Sequence, residues 1–185
     1  MPAAPFIAAG GVSLAHPGVR TVTVTTTGAQ PTTPAQPTKP APAEIDYVDV
    51  AQGDGVVMRI GGRFIVSDAG QRNVGAVDEA LKRLGADKTI DVAILSHAHS
   101  DHVKNFLDLI DTFGWTIHTV VLSQSAWWTG TATNRTLIET LQHHGAALIY
   151  VTAGQRFGWG GASWEILSPG PGQYTGVGQV ADASV

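Results

Sequence analysis

Three imidazoles and a carboxylate fall within six residues, His97-Ala98-His99-Ser100-Asp101-His102, just behind the apolar run Asp91-Val92-Ala93-Ile94-Leu95. These are the side chains that hold zinc and similar divalent cations. In extended backbone, side chains two apart share a face, so His97, His99 and Asp101 would point one way. His102 would point elsewhere unless the chain turns there. Two groupings from one loop suggest two adjacent metal sites. The plain alternative is a strand-end turn that leads into a helix whose start favours a carboxylate at Asp101, with histidines nearby by chance.

The elements that carry this loop follow from periodicity. Residues 45–50 read as a strand, Gln52-Gly53-Asp54-Gly55 as a turn, and residues 56–60 as a second strand. Gly61-Gly62 makes a two-residue hairpin turn into a third strand over residues 63–68, stopped by Ala69-Gly70. Val74, Val77, Leu81 and Leu84 repeat at helical spacing and end at Gly85. An apolar strand over residues 91–96 leads into the histidine loop. Val103, Phe106, Leu107, Ile110 and Phe113 then mark one helix that stops at Gly114. A strand over 119–122, a helix over 134–144 and strands over 147–152 and 163–167 complete the order. The fold class is α/β: a mixed sheet with antiparallel N-terminal strands and helices on its outer face. The loop stands at a strand end, where open α/β sheets form ligand crevices.

The chain has 185 residues, enough for one ordinary domain, with 43% hydrophobic and only 14% charged residues. No cysteine is present, so disulfides and thiolate-held zinc are excluded. No apolar run of about 18 residues occurs, so no membrane span is expected. Residues 1–15 lack a basic start and are broken by Gly10-Gly11, which reads against a signal peptide. Residues 1–43 read as a tail and linker, with residues 28–43 rich in Pro and Thr and inclined to extended polyproline II. Such a linker suggests an extracytoplasmic or tethered domain. The folded part spans residues 44–185, and setting aside Arg20 and Lys39 leaves it 9 basic against 15 acidic residues. A basic footprint for nucleic acid is absent.

The motif HxHxDH after an apolar strand resembles the signature of the metallo-β-lactamase fold. Asp49-Val50-Ala51-Gln52-Gly53-Asp54-Gly55 is similar to the "DVGQGD" opening of its ComEC-like competence-protein branch, with Ala51 in place of glycine. Ile65-Val66-Ser67-Asp68-Ala69-Gly70 resembles the "DxG" strand end that precedes HxHxDH. The resemblance implies an αββα fold and a dinuclear zinc hydrolase. His97 and His99 would bind one metal, and Asp101 and His102 the other. Asp101 would also hold the nucleophile, and Asp68 would stand behind the cluster to orient an imidazole. Gln52 and Asp54 would line the same side. The branch implies a phosphodiester substrate, DNA included, and the acidic balance gives this no independent support.

Two departures stand out. The family follows HxHxDH with one residue and two glycines, whereas this chain has Val103-Lys104-Asn105. The helix start is bulkier, and Lys104 brings a cation that could meet an anionic substrate. The family's third histidine, "TGD"-strand aspartate and last histidine form the second departure. The last two match nothing here, so the expectation is a first half of the domain with weak activity by itself. An unfinished sheet would leave an open edge and an exposed apolar face, favouring self-association. Rival readings are a hydrolase of another substrate (thioester, lactone or β-lactam) and a non-enzymatic metal-binding half-domain acting through a partner. His118, His143 and His144 read as structural, and Trp127-Trp128 as sheet-edge packing.

Overall fold

The computed structural model describes residues 43–123 and 130–170. One sheet of six strands runs in spatial order β1 (Ala43–Tyr47), β2 (Gly55–Ile60), β3 (Arg63–Ala69), β4 (Thr89–Leu95), β5 (Thr116–Ser123) and β6 (Ala147–Val151). The first three pair antiparallel and the last three continue in parallel from β3. The mixed sheet expected from the sequence is therefore present. Helix α1 (Val74–Arg83) crosses from β3 to β4, and α4 (Ala132–His143) lies between β5 and β6. The short helices α2 (Ser100–Val103) and α3 (Asn105–Asp111) follow β4.

Alternation along the strands divides the core between two faces. Val57, Val66, Ala93, Leu95, Val120 and Leu122 face the helices, against Leu81, Phe106, Leu109, Leu137 and Leu141. Met58, Ile65, Val92, Val121 and Val151 face the other way. The sequence reading leaves that second face exposed, and the structure corrects it. A separate hairpin of β7 (Arg156–Trp159) and β8 (Ala162–Glu165) brings Phe157, Trp159 and Trp164 onto it, so Ile65 and Val92 are fully buried. The hairpin docks backbone to backbone. A Cβ on Gly61 would lie 2.0 Å from the Gly160 carbonyl oxygen, so the two glycine turns meet where no side chain fits.

Beyond shifts of a few residues at the ends of several elements, three features differ from the sequence reading. The first strand stops at Tyr47 instead of residue 50, because the Asp49 side chain accepts the Ala51 N–H (3.0 Å) and Ala51 takes a left-handed φ of 64°. The single helix expected after the histidines is two, because the Asn105 N–H donates to Gly70 O (3.1 Å) instead of continuing the helical ladder. Strand β7 is absent from the sequence reading. Its signal is the Gly160-Gly161 turn, which has the same form as Gly61-Gly62. Residues 1–42, which hold nearly all of the expected linker, lie outside the described residues, as do Trp127-Trp128 and residues 171–185. No helix among the described residues is long and apolar enough to cross a membrane.

Candidate metal centre

Three loops meet at the carboxyl ends of β3 and β4. The loop after β1 is stitched to the turn after β3 by Asn73 Nδ2, which donates to Asp49 O (2.6 Å), and by the Gln71 N–H donating to Gln52 O (3.4 Å). It also presses on the histidine loop, since a Cβ on Gly53 would fall 1.5 Å from the Asp101 carbonyl oxygen. Only glycine, free to take φ +89°, fits there.

Asp68 sits at the centre of this junction with 3% of its surface exposed and a left-handed φ of 50°. Its Oδ1 accepts the Ser96 N–H (2.9 Å) and its Oδ2 accepts the Ser96 hydroxyl (2.5 Å). The same Oδ2 lies 2.8 Å from His102 Nδ1. A carboxylate has only acceptors to offer, so His102 Nδ1 carries the proton. The Ser96 hydroxyl spends its one proton on Asp68, so Ser96 Oγ must accept from His97 Nδ1, 2.9 Å away. In their neutral forms both imidazoles therefore carry the proton on Nδ1 and leave Nε2 as the free acceptor.

The chain turns at His99, which precedes α2 in extended conformation (φ −79°, ψ 141°). That turn brings His102 back beside His97, with ring centroids 4.0 Å apart, while His99 meets His97 edge-on at 4.7 Å. The three imidazoles of the loop are thus gathered. Burial lowers the pKa of His97, and the neighbouring His102 and His99 lower it further. The hydrogen bond to Asp68 raises the pKa of His102, against the effect of burial.

Asp101 lies in the first turn of α2, half-buried, and His99 and Asp101 open onto a groove of about 430 Å³ shared with Ser100, Thr131, Thr133 and Asn134. A larger concavity of about 540 Å³ on the β7–β8 hairpin brings no metal-binding side chain. Asp54 is exposed, with Oδ2 3.7 Å from His102 Nδ1. Donor atoms of Asp54, Asp68 and His102 lie within 4.8 Å of one another, a set that shares only His102 with the sequence-derived ligands. Asp68 already accepts three hydrogen bonds, which suits a backing role better than a ligand role. Gln52 enters the junction through its backbone, and Lys104 is exposed at the α2–α3 break. His118, His143 and His144 are exposed and outside the junction, and the His143 and His144 rings face each other at 5.6 Å.

Sequence reasoning missed Ser96, Asn105 and Asn134. Asn134 is buried and donates from Nδ2 to Ala98 O (2.9 Å), tying the start of α4 to the histidine loop. The only signal for Asn105 is its place where the resemblance expects glycine. Ser96 and Asn134 carry none, since each reads as ordinary strand-end or helix-start polarity.

The metallo-β-lactamase superfamily model matches residues 48–180. Among solved structures, a metallo-β-lactamase from Cronobacter sakazakii is similar, with TM-score 0.44 and 18% identity, covering 63% of this chain and 48% of that one. A metallo-β-lactamase-like protein from Thermotoga maritima gives 0.43 and 12%, covering 60% and 59%. A flavo di-iron protein from the same organism gives 0.45 and 18%, covering 62% and 27%. The chain spans about half the length of the first two and about a quarter of the third. No curated protein matches it.

Proposed function

From the premise that this chain belongs to the metallo-β-lactamase superfamily, we propose that it is a dinuclear zinc hydrolase acting on phosphodiesters, in the manner of the ComEC-like branch. His97 and His99 would hold one ion, and Asp101 with His102 the second. A divalent cation bound there supplies Lewis acidity and brings the pKa of water down to roughly 7.

The chain's own residues supply the rest. Asp68 engages Nδ1 of His102 by a direct hydrogen bond and Nδ1 of His97 through the Ser96 hydroxyl, which would leave each Nε2 for a cation. The lowered pKa of His97 keeps this imidazole neutral, the state a cation needs. Asp101, at the groove, would accept a hydrogen bond from the attacking water and orient it toward phosphorus. Lys104, next along the chain from this loop, would meet the substrate's negative charge.

The observation that carries this reading is one buried carboxylate fixing the donor atoms of two loop imidazoles. Its test is zinc stoichiometry together with hydrolysis of an aryl phosphodiester, a β-lactam, a lactone and a thioester. Zinc binding that is lost in His97→Ala, with turnover, even slow, confined to the phosphodiester, is the expected result. A chain that binds no zinc would refute the proposal. Zinc binding with turnover of another panel member would move the substrate class, and binding without any turnover would favour the non-enzymatic reading.

For partners, we propose self-association along β1, which is the edge strand among the described residues and whose Ile45 and Tyr47 are 52% and 85% exposed. A monomer by light scattering at high concentration would count against it.

A further inference from the structure

We propose that Asn105 is a positioning residue for the metal centre: it holds the turn that keeps the Asp68 carboxylate on His102. The inference rests on the metal-centre reading above. Asn105 is completely buried at the break between α2 and α3. Its Nδ2 donates to Ala69 O (2.7 Å) and to Arg72 O (2.5 Å). Both partners are carbonyls, which accept only, so the amide orientation is fixed by chemistry. The Asn105 N–H donates to Gly70 O (3.1 Å), and the Gly70 N–H donates to His102 O (3.2 Å). Three hydrogen bonds from Asn105, to Ala69, Gly70 and Arg72, and one from Gly70 to His102 therefore bind the turn after β3 to the α2–α3 junction.

The turn needs such a hold. Asp68 sits at φ +50°, a left-handed conformation that aspartate takes more readily than most side chains but that is still not its preferred backbone. Released, it would relax toward right-handed or extended backbone and swing its carboxylate away from Ser96 and His102. A glycine at position 105 would keep the backbone bond to Gly70 O but has no side-chain donor for Ala69 O and Arg72 O. Asn105 also buries an Oδ1 that has no protein partner among the described residues. That burden is unfavourable for a residue whose role is packing alone, and tolerable for one whose Nδ2 holds the centre in register.

The test compares zinc affinity, by competition with a chromophoric chelator, in the wild type, Asn105→Ala, Asn105→Ser and the core variant Leu137→Ala. Asn105→Ala is expected to bind zinc tenfold or more weakly. Asn105→Ser, which keeps one donor, should fall between, and Leu137→Ala should bind like the wild type despite its lost stability. In the metal-free protein, the downfield ring N–H signal of His102 should disappear in Asn105→Ala and persist in Leu137→Ala. Unchanged affinity in Asn105→Ala, or an equal loss in Leu137→Ala, overturns the proposal. Should Asn105→Ala fail to fold, Asn105→Ser decides, and unchanged affinity there overturns it as well. A wild type that binds no zinc removes the metal-centre reading and this inference together, whereas zinc binding indifferent to Asn105 removes this one alone.

Discussion

Two aspartates, each 3% exposed, sit at opposite ends of the parallel strands and are satisfied in opposite ways. At the amino ends of β4 and β5, Asp78 of α1 faces Lys82 Nζ (2.5 Å), Lys88 Nζ (3.1 Å) and Trp115 Nε1 (2.9 Å). Burial pushes the Asp78 carboxyl up, but the hydrogen bonds from Lys82, Trp115 and Lys88 together outweigh it and hold its pKa below the usual carboxylate value. At the carboxyl ends of β3 and β4, Asp68 faces a serine and an imidazole. Permanent cations and an indole make the first aspartate a brace. Partners that can exchange protons or hold metal make the second part of a site. Burial of a carboxylate therefore says little by itself, and the chemistry of its partners decides its role.

The contrast is broken most directly by exchanging the readouts. Asp68→Ala should weaken zinc binding by about 10–100-fold, the usual cost of removing the group behind a ligand imidazole. Asp78→Ala should leave zinc affinity unchanged and lower stability by about 1–3 kcal/mol, chiefly because the buried Trp115 Nε1 loses its acceptor. Lys82 and Lys88 are about half exposed, so their lost ion pairs add little. Chelator competition and urea unfolding read the two quantities, and a crossed result would dissolve the distinction.

The acid limb of stability offers a finer test. Asp78 has a folded pKa below its unfolded value near 3.9. Its contribution is therefore fully present above that value and is lost as pH falls through the folded pKa. In the metal-free protein, the urea midpoint of the wild type should fall as pH drops below about 4. Asp78→Asn should be less stable at neutral pH and flatter across the same window. Parallel acid limbs in the two proteins would mean that Asp78 is not the brace described here.

The two ends also differ in how much of them the sequence makes legible. Ligand-type residues crowd into six positions at the site, so His97, His99, Asp101 and His102 stand out as a group by residue type and spacing alone. Asp68 is legible only through resemblance, since its partner His102 is 34 positions away. The Asp78 brace is invisible in the sequence: Asp78 and Trp115 stand 37 positions apart and meet only because α1 packs across the strand ends. Alternation and turn glycines make the six-stranded sheet legible. The β7–β8 hairpin is harder, because four residues around Gly158 give too short a period to register. The broken helix at Lys104-Asn105 is a tertiary effect, decided when Gly70 O takes the Asn105 N–H.

Backbone strain sharpens the comparison at the smallest scale. Ala51 at the site end and Lys88 at the brace end both hold left-handed backbone, with φ 64° and 51°. Lys88 is compensated: its ammonium reaches Asp78 Oδ1 and Phe113 O (2.8 Å) and lies 4.7 Å over the Trp115 ring. Ala51 has only a methyl group, at the position where the resemblance expects glycine. The left-handed penalty there is about 1–2 kcal/mol, and glycine would return part of it as unfolded-state entropy. Ala51→Gly should therefore stabilise the protein by about 0.5–1 kcal/mol. Lys88→Gly relieves the same backbone strain but removes three contacts from a buried carboxylate, a carbonyl and an indole, and should destabilise. Thermal melts of the two metal-free variants give the sign of each change. Stabilisation in both would mean that the Lys88 ammonium contributes nothing to the brace, and destabilisation in both would mean that the Ala51 turn is not strained.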